Sequence, residues 1–434
     1  MTSTARELVD FLSALAFRVL RSRTSFSKAF LYTRAVRRLS PRVSRLLYEA
    51  SKQFLRDFIR ALAYAYTSRY GRLYVDELEA IRRVSFKDIA RAWICLESTK
   101  VVESSEIRRE IDRFCSRYSY DRAIDMLEKE LSSSDSVTRI AIEYSYPRWF
   151  VEELIRYLDE SSVVELLKSM DRDIVWIRPY HLGYDIDYVI DELKKESIEV
   201  EIDSDIPYMM YVISSSIPIH ETRAFREKII VTQDRASALV VEALDLDRDD
   251  VLADLCTAPG MKLWLSLERY SISKAIGVDI DRDRILETAR ILSEANLIHL
   301  VDLAVADSRC IELKRCSVAL VDAPCSDSGA IPRDPAIKLH LIDREKSLSY
   351  VDVQLQILRN AVRQCERVVY AVCSLLPHEG EYVVSKLVEE GLCEPIDLKI
   401  KASPSYTGCR GCVRTFSHVH RCQSFFIAHL RRAR

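Results

Sequence analysis

The first third of the chain repeats apolar residues every three or four positions. The spacing is clearest in the segments RELVDFLSALAFRVLRS and SRLLYEASKQFLRDFIRALAYAY. Such a period places apolar side chains along one face of an α-helix. Before Leu131 the chain contains one glycine, Gly71, and one proline, Pro41. The pattern predicts an all-helical domain over residues 1–135, and LSSSDSV near its end is either a linker or the N-cap of another helix.

The pattern changes over residues 140–225. Short runs that resemble strands occur in VWIRPYHL, IEVEIDSDIP and YVISSS. The segment DIDYVIDELKKE, which lies between them, has helical spacing. Strands that alternate with a helix over this length predict a small α+β module, of the kind that RNA-recognition domains use.

Residues 228–434 alternate between short apolar runs and helical stretches. The runs end in an acid or a cysteine, and they are VLADLC, AIGVDI, LAVAD, VALVDAPC and RVVYAVCS. Strands that alternate with helices predict a parallel, doubly wound, Rossmann-like sheet. Ligands bind such sheets beyond the carboxyl ends of the strands, so the acids and thiols are expected to converge on one crevice.

Composition narrows the class of protein. The chain is 48% hydrophobic and 30% charged, and no run approaches the ~20 apolar residues that cross a bilayer. The N-terminus predicts an amphipathic helix and no signal peptide, so we expect a cytoplasmic protein without membrane contact. The twelve cysteines then argue against a disulfide framework. Four of them are expected to be buried apolar side chains, namely Cys256, Cys310, Cys316 and Cys365.

The near-neutral net charge of −2 hides an uneven distribution. The first hundred residues contain 20 Lys and Arg against 9 Asp and Glu, which is a net charge of +11. A basic block of this kind suggests a polyanionic partner such as nucleic acid. A solvated helix surface explains the same charge equally well.

The first apolar run leads into the segment DLCTAPGMKLW. Pro259 and Gly260 predict a tight turn that lets backbone approach a ligand. The segment is neither G-x-G-x-x-G nor a Walker A loop, which argues against a dehydrogenase or a nucleoside triphosphatase. The next two runs end in Asp279 and Asp307, suited to ribose hydroxyls and to an exocyclic amine. Together these features predict S-adenosylmethionine as the cofactor.

The fourth and fifth runs deliver Asp322, Cys325 and Cys373 to the same crevice. Carbon 5 of a pyrimidine is a poor nucleophile, and addition of a thiolate at carbon 6 makes it reactive towards a methyl donor. Such catalysis requires a cysteine with thiolate character. Asp322 would hydrogen-bond ring nitrogen 3, and a second thiol would assist release. The arrangement predicts methylation of a pyrimidine at carbon 5.

Several motifs occur together in a typical order. They are DLCTAPGMK, GVDIDRDRI, VADSR, DAPCSDSGAIPRDP, YAVCSLLPHEGE and SFFIAHLRR. They resemble those of the Nol–Nop–Sun (Fmu-like) family of RNA cytosine-5 methyltransferases. The resemblance covers residues 143–430, and it implies that rRNA or tRNA is the substrate.

The resemblance also implies roles for individual residues. Cys373 would be the nucleophile and Cys325 would aid product release, while Asp322 binds the cytosine edge. Lys262 would lie near the methionine tail and the target base. The cofactor-binding residues would be Cys256, Thr257, Ala258, Pro259, Gly260, Lys262, Asp279, Arg284, Asp307 and Asp322.

The chain departs from the family pattern at several positions. Met261 replaces a glycine, Val372 replaces a threonine before the nucleophile, and Asp327 replaces a glycine after Pro-Cys-Ser. These departures suggest a divergent branch. They leave open an alternative in which the chain is a catalytically degenerate RNA-binding assembly factor.

Two further regions admit more than one interpretation. Residues 1–135 could resemble the antitermination factor NusB and dock RNA, or they could bind protein or only stabilise the fold. The C-terminal cluster could bind zinc, contain a disulfide or be an ordinary loop, and it comprises Cys409, Cys412, His418, His420 and Cys422. We expect no catalytic metal and a monomeric protein.

Overall fold

The computed structural model describes residues 4–36, 41–102, 104–118 and 120–433. The chain divides into two compact units. One comprises Met1–Arg172 and Ile331–Ser347, and the other comprises Asp173–Ala330 and Leu348–Arg434. No helix in the described ranges combines the length and apolarity that a bilayer crossing requires.

The first unit is built from helices that bury their apolar faces against one another. Phe11, Phe54, Phe58 and Trp93 are fully buried in its core, and the indole N–H of Trp93 donates to the Asp57 carboxylate at 3.0 Å. The helices in chain order are α1 (Thr4–Ser22), α2 (Phe26–Val36), α3 (Pro41–Arg56), α4 (Phe58–Tyr70), α5 (Glu77–Arg83), α6 (Phe86–Leu96), α7 (Ser105–Cys115), α8 (Asp121–Ser133), α9 (Ser136–Glu143), α10 (Arg148–Ile155) and α11 (Glu160–Met170).

The helical segment continues beyond the predicted boundary at residue 135. Asp135 accepts a hydrogen bond from the Thr138 N–H and caps α9, so LSSSDSV contains an N-cap. Asp159 caps α11 in the same way. A capping side chain satisfies an N–H group that the first helical turn leaves free. The helices therefore run to Met170, within the region that the sequence assigned to an α+β module.

The second unit begins with a four-stranded antiparallel sheet. Its strands follow the order β2-β3-β1-β4, which is the split β-α-β arrangement. Ile177, Val189, Leu193 and Met210 form its core. The elements in chain order are β1 (Trp176–Pro179), α12 (Ile186–Lys195), β2 (Glu199–Ile202), β3 (Met210–Ser214), α13 (Arg223–Arg226) and β4 (Ile230–Thr232).

A nine-stranded sheet and the helices around it form most of the rest of the chain, and two short helices that begin within Ile331–Ser347 belong to the first unit. The remaining elements are α14 (Arg235–Glu242), β5 (Leu252–Asp254), α15 (Met261–Tyr270), β6 (Ala275–Asp279), α16 (Arg282–Glu294), β7 (Val301–Val305), β8 (Val318–Asp322), α17 (Ala336–His340), α18 (Arg344–Leu348), α19 (Val351–Gln364), β9 (Arg367–Val372), α20 (Glu381–Glu389), β10 (Cys393–Pro395), β11 (Ser403–Pro404), β12 (Cys412–Arg414), α21 (Ser417–His420) and β13 (Phe426–Arg432).

The parallel part of this sheet is doubly wound, as predicted. Its strand order is β9-β8-β5-β6-β7, with β13 antiparallel beside β9. The chain winds outward in both directions from the pair β5 and β8, so the strand order reverses between them. A doubly wound sheet binds its ligand at this switch point, beyond the carboxyl ends of the strands.

The segment Ile331–Ser347 belongs to the helical unit, although it follows β8 in the sequence. Lys338, on α17, is fully buried there. Its ammonium lies 2.7 Å from the Asp171 carboxylate and donates to the carbonyls of Arg56 and Tyr144 at 3.0 and 3.1 Å. It also lies 3.8 Å from the centre of the Tyr146 ring. The sequence had assigned this segment to the domain over residues 228–434.

The sequence argued against a disulfide framework, but the described part of the chain contains three disulfide bonds. Bonds join Cys95 to Cys115, Cys316 to Cys365 and Cys409 to Cys412. Their Cα atoms lie 5.5, 5.1 and 5.2 Å apart, within the range that a disulfide spans. Of the four cysteines predicted to be buried and apolar, Cys316 and Cys365 are bonded to each other, Cys310 is exposed and Cys256 is half-buried. Composition cannot reveal which cysteines the fold brings together.

Candidate active site

Two thiols meet beyond the ends of adjacent parallel strands. Strand β8 ends at Asp322, which pairs with Ala371 of β9. Cys325 lies three residues beyond the end of β8, and Cys373 follows β9 directly. Their Sγ atoms are 3.3 Å apart. Cys325 is buried and Cys373 is half-buried, so the predicted pair is brought together at the crevice.

Asp327 adds a carboxylate to this pair. Its Oδ1 lies 2.8 Å from Sγ of Cys373 and 3.7 Å from Sγ of Cys325. The hydrogen bond with Cys325 lowers the pKa of the Cys373 thiol, but burial and the negative charge of Asp327 raise it to about 11. The Cys325 thiol also has a raised pKa, because it forms a hydrogen bond with the Cys373 thiol and is buried. Both thiols are therefore protonated at neutral pH in this arrangement.

A buried acid ties the two cysteine loops together. Glu379, which is 0% exposed, accepts hydrogen bonds from the N–H and the hydroxyl of Ser326 at 2.8 and 2.6 Å. It also accepts from the hydroxyl of Ser374 at 2.5 Å and from the amide of Gln354 at 3.2 Å. Ser326 and Ser374 directly follow the two cysteines, so one side chain fixes both loops.

A charged pair lies beside the thiols. The Lys262 ammonium, at the start of α15, is 2.5 Å from Oδ2 of Asp322. Burial disfavours the charged lysine, but Asp322 outweighs this effect and the pKa of Lys262 is raised. Burial and the charge of Asp322 raise the pKa of Asp254 to about 7. Lys262 and Asp322 are thus mutually oriented at the mouth of β8.

The turn after β5 is held by the residue that ends β6. Asp279 accepts hydrogen bonds from the N–H of Ala258 at 3.3 Å and of Asp281 at 3.0 Å. The Arg284 guanidinium lies 3.4 Å from Asp279 and donates to the carbonyl of Ala258 at 2.5 Å. Gly260 has φ +95°, and a Cβ there would lie 2.7 Å from Cγ2 of Thr288. Glycine is therefore required at this turn.

The remaining predicted residues line the same edge of the sheet. Thr257 donates its N–H to the carbonyl of Val278 at 2.9 Å, and the Ala258–Pro259 bond is cis. Cys256 donates its N–H to Asp254 at 3.3 Å. Asp307, two residues beyond β7, is held by Arg309 with contacts of 2.6–3.0 Å.

This set of donors and acceptors suits a nucleoside that carries a cationic group. Asp254, Asp279 and Asp307 follow the consecutive parallel strands β5, β6 and β7. A carboxylate accepts about four hydrogen bonds, so Asp279, which accepts two from backbone N–H groups, keeps acceptor capacity for hydroxyls. Asp307 already accepts four contacts from Arg309. The residues predicted to hold S-adenosylmethionine therefore fit such a group.

The C-terminal cluster is not arranged as a metal centre within the described chain. Cys409 and Cys412 form a disulfide bond, which selects one of the three alternatives left open by the sequence. The His420 ring accepts the N–H of Phe416 at 2.9 Å, and Cys422 is fully buried.

Two members of the site were not predicted. Asp327 was identified only as a departure from a glycine, and Glu379 was part of a quoted motif without a role. The signal for Asp327 was a charged residue where the family motif prefers glycine. The signal for Glu379 was an acid six residues after Cys373 within the motif YAVCSLLPHEGE. Neither signal reveals the partners, because those contacts join segments 46 and 53 residues apart.

Comparison with protein families supports the predicted resemblance. Residues 241–431 match the family described as 16S rRNA methyltransferase RsmB/F. Ribosomal RNA small subunit methyltransferase B of Proteus mirabilis is 26% identical over 274 residues, which cover 61% of this chain and 62% of that protein. The probable ribosomal RNA small subunit methyltransferase B of Bacillus subtilis is 27% identical over 267 residues, covering 59% of this chain and 58% of that protein. The alignments thus span about 60% of these relatives.

Solved structures share the fold. The crystal structure of PH0851 has a TM-score of 0.73 at 21% identity and covers 99% of this chain and 98% of its own. A methyltransferase homologue from Pyrococcus horikoshii has a TM-score of 0.58 at 22% identity, covering 69% of this chain and 99% of its own. NSun6 from the same organism, with SFG, has a TM-score of 0.57 at 18% identity, covering 65% and 97%. The predicted fold class is confirmed.

Proposed function

We propose that this chain is an S-adenosylmethionine-dependent RNA cytosine-5 methyltransferase, as the match of residues 241–431 to the family described as 16S rRNA methyltransferase RsmB/F supports. The observation that carries the proposal is the pair of thiols. The Sγ atoms of Cys325 and Cys373 are 3.3 Å apart, beyond the ends of β8 and β9. Transfer of a methyl group to an oxygen or to an exocyclic nitrogen does not require two adjacent thiols.

The proposed reaction begins with addition of the Cys373 sulfur to carbon 6 of cytosine. The addition makes carbon 5 an enamine carbon, which is nucleophilic enough to take a methyl group. When bound, S-adenosylmethionine supplies that electrophilic methyl group. Transfer of the carbon 5 proton to a solvent water molecule and breakage of the bond between sulfur and carbon 6 then release the product. Cys325 lies in contact with the nucleophile and assists this last step.

Other residues bind and orient the reactants in this scheme. Asp322 and Lys262 form a pair with a separation of 2.5 Å, and we assign Asp322 to the cytosine edge around nitrogen 3. The turn from Cys256 to Gly260 would hold the methionine portion of the cofactor. Asp279, with Arg284 beside it, would bind the ribose, and Asp307 would bind the adenine.

The proposed substrate is RNA, because the curated relatives are named for small-subunit ribosomal RNA. Small-subunit rRNA is therefore the first substrate to test, and tRNA is the second. A base inside a helix cannot contact the thiols, so the target cytosine must leave its stack or be unpaired.

Methyl transfer from labelled S-adenosylmethionine tests the proposal. The purified protein is incubated with transcribed small-subunit rRNA or with tRNA, and 5-methylcytidine is measured by mass spectrometry of the digested RNA. We expect Cys373→Ala to abolish product formation, because no other side chain is proposed to add to carbon 6. We expect Cys325→Ala to accumulate a covalent protein–RNA adduct, seen as a denaturant-stable band shift.

Cys310→Ala is the matched control, because Cys310 is an exposed free cysteine. Its activity is expected to equal that of the unsubstituted protein. Full activity of Cys373→Ala would refute the mechanism. The alternative of an RNA-binding assembly factor rests on Met261, Val372 and Asp327, which depart from the family motifs. RNA binding without S-adenosylmethionine binding, measured by calorimetry, would favour that alternative and refute the enzyme.

A further inference from the structure

Asp327 occupies a position where the backbone favours glycine. Its φ is +57°, in the left-handed region that few residues other than glycine adopt. Aspartate is among the tolerated exceptions. The family motif prefers glycine here, and glycine would leave no side chain beside the thiols. In this chain the position instead carries a carboxylate whose Oδ1 is 2.8 Å from Sγ of Cys373.

We propose that Asp327 is the general base that takes the proton of the Cys373 thiol during attack on cytosine. This inference rests on the function proposed above. In the step, the S–H bond breaks and its proton forms an O–H bond on Asp327. The sulfur electron pair forms the bond to carbon 6, the π electrons between carbons 5 and 6 form a double bond between carbons 4 and 5, and the π electrons of the bond between carbon 4 and nitrogen 3 move onto nitrogen 3. On elimination the sulfur leaves as thiolate and recovers the proton from Asp327.

The surroundings of Cys373 create the need for a base. The charged and titratable groups that face its sulfur are Cys325, Asp327, Asp322 and Lys262. Burial and the neighbouring carboxylate raise the pKa of this thiol to about 11, so it is a thiol and not a thiolate at neutral pH. The Lys262 cation, which would otherwise favour a thiolate, is engaged with Asp322 at 2.5 Å.

The geometry suits Asp327 better than the other acids of the site. A general base must lie within hydrogen-bond distance of the proton it removes, and the Asp327 carboxylate meets this condition. Asp322 is held by Lys262. Glu379 is buried and accepts hydrogen bonds from Ser326, Ser374 and Gln354.

The test separates thiol acidity from proton transfer, using Asp327→Asn and Asp327→Gly. Alkylation of Cys373 by iodoacetamide is first followed against pH by peptide mass spectrometry, without RNA or cofactor. Removal of the neighbouring negative charge is expected to move the alkylation midpoint to lower pH in both variants. Single-turnover adduct formation is then measured with 5-fluorocytidine-substituted RNA, in which the adduct cannot lose fluorine and remains trapped.

We expect adduct formation at pH 7 to fall by about 100-fold or more in both variants, although their thiolate fraction has increased. A more acidic Cys373 thiol combined with slower adduct formation indicates that the variant has lost the general base. A purely electrostatic or structural role predicts a rate that follows the thiolate fraction. Asp249→Asn, on an exposed turn, is the control and should change neither property.

Thermal unfolding verifies that each variant is folded, and Asp327→Gly supplies a residue that adopts the left-handed backbone freely. If the unsubstituted protein is active and the Asp327→Asn variant forms adduct at an equal or faster rate, Asp327 is not the general base. Absence of methyl transfer by the unsubstituted protein would instead overturn the proposed function, and the inference with it. The two failures are therefore distinct.

Discussion

Asp254 ends β5 with its side chain almost fully buried, at 1% exposure. Its carboxylate accepts the N–H of Cys256 at 3.3 Å. Burial and the nearby Asp322 charge raise its pKa to about 7 from an ordinary value of 3.8. The folded chain therefore holds a proton on this group over a pH range in which the unfolded chain has lost it. Asp254 and Asp322 lie close together in the crevice, and the repulsion between their charges disfavours ionisation of Asp254.

Asp254→Asn should reveal this effect as a pH-dependent change in stability. Below about pH 3 the carboxyl is protonated in both states. As pH rises to 7, ionisation favours the unfolded chain and the stability that came from the raised pKa is lost. Asparagine mimics the protonated acid, so we expect the variant to gain about 2 kcal/mol relative to the unsubstituted protein between pH 5 and pH 8. Urea unfolding at four pH values measures the difference.

Asp249→Asn provides the control for that series, because Asp249 is exposed on a turn. Its difference from the unsubstituted protein should be independent of pH. A constant difference for Asp254→Asn across the same range would contradict the raised pKa.

At the scale of elements, the site depends on the pairing of β8 and β9. Parallel pairing places Asp322 opposite Ala371, and the loops that follow are joined by Glu379 through Ser326 and Ser374. The two sulfur atoms therefore face each other because two strands and one acid fix both loops. The runs VALVDAPC and RVVYAVCS allowed the two strands and their order along the chain to be predicted. The Glu379 bridge was not predictable, since side-chain direction in a loop follows no period.

Glu379→Ala should destabilise the protein and disturb the thiols together. The substitution leaves the Ser326 N–H and hydroxyl without their carboxylate acceptor and removes one of the acceptors of the Ser374 hydroxyl and of the Gln354 amide, which also donates to the Pro324 carbonyl. Each unsatisfied buried group costs about 1–3 kcal/mol, so we expect a loss of about 3 kcal/mol in unfolding free energy. The rate of Cys373 alkylation should change at the same time. Chemical denaturation and peptide mass spectrometry measure the two effects.

Glu389→Ala is the control, and it tests whether removal of a different glutamate from the same region of the chain lowers the unfolding free energy equally. Glu389 lies on α20 and forms an exposed pair with Lys386. Surface pairs of this kind contribute about 0–1 kcal/mol, so this variant should be close to the unsubstituted protein. Equal losses for the two substitutions would argue against the bridging role of Glu379.

At the scale of the whole molecule, one stretch of chain leaves the unit that contains the two thiols, enters the helical unit and returns. Residues 331–347 begin directly after Ala330, on the loop that carries Cys325 and Asp327. In the helical unit this stretch is held by the buried Lys338, whose ammonium has the carboxylate of Asp171 and two carbonyls as partners. The loop that carries Cys325 and Asp327 is thus covalently continuous with a segment whose fold depends on the helices.

Lys338→Met should destabilise the helical unit. Removing one partner of a fully buried ion pair costs about 3–5 kcal/mol, and we expect a smaller loss here because the Asp171 side chain is 30% exposed. We expect a lower unfolding temperature and faster tryptic cleavage within residues 331–347. Lys346→Met is the matched control in the same segment, since Lys346 is 67% exposed in a pair with Asp343. Equal thermal stability of the two variants would contradict the anchoring role.

The sequence by itself determined the helical first third, the order of the strands, the site motifs and the resemblance to a methyltransferase family. These properties follow from local periods and from residues near one another in the chain, where side-chain spacing alone distinguishes helix from strand. Only the tertiary structure decided the disulfide bonds, the place of residues 331–347 and the contact of Asp327 with the Cys373 thiol. Each of these joins positions that are distant in sequence or depends on a side chain in a loop, and the packing of the folded chain sets such distances.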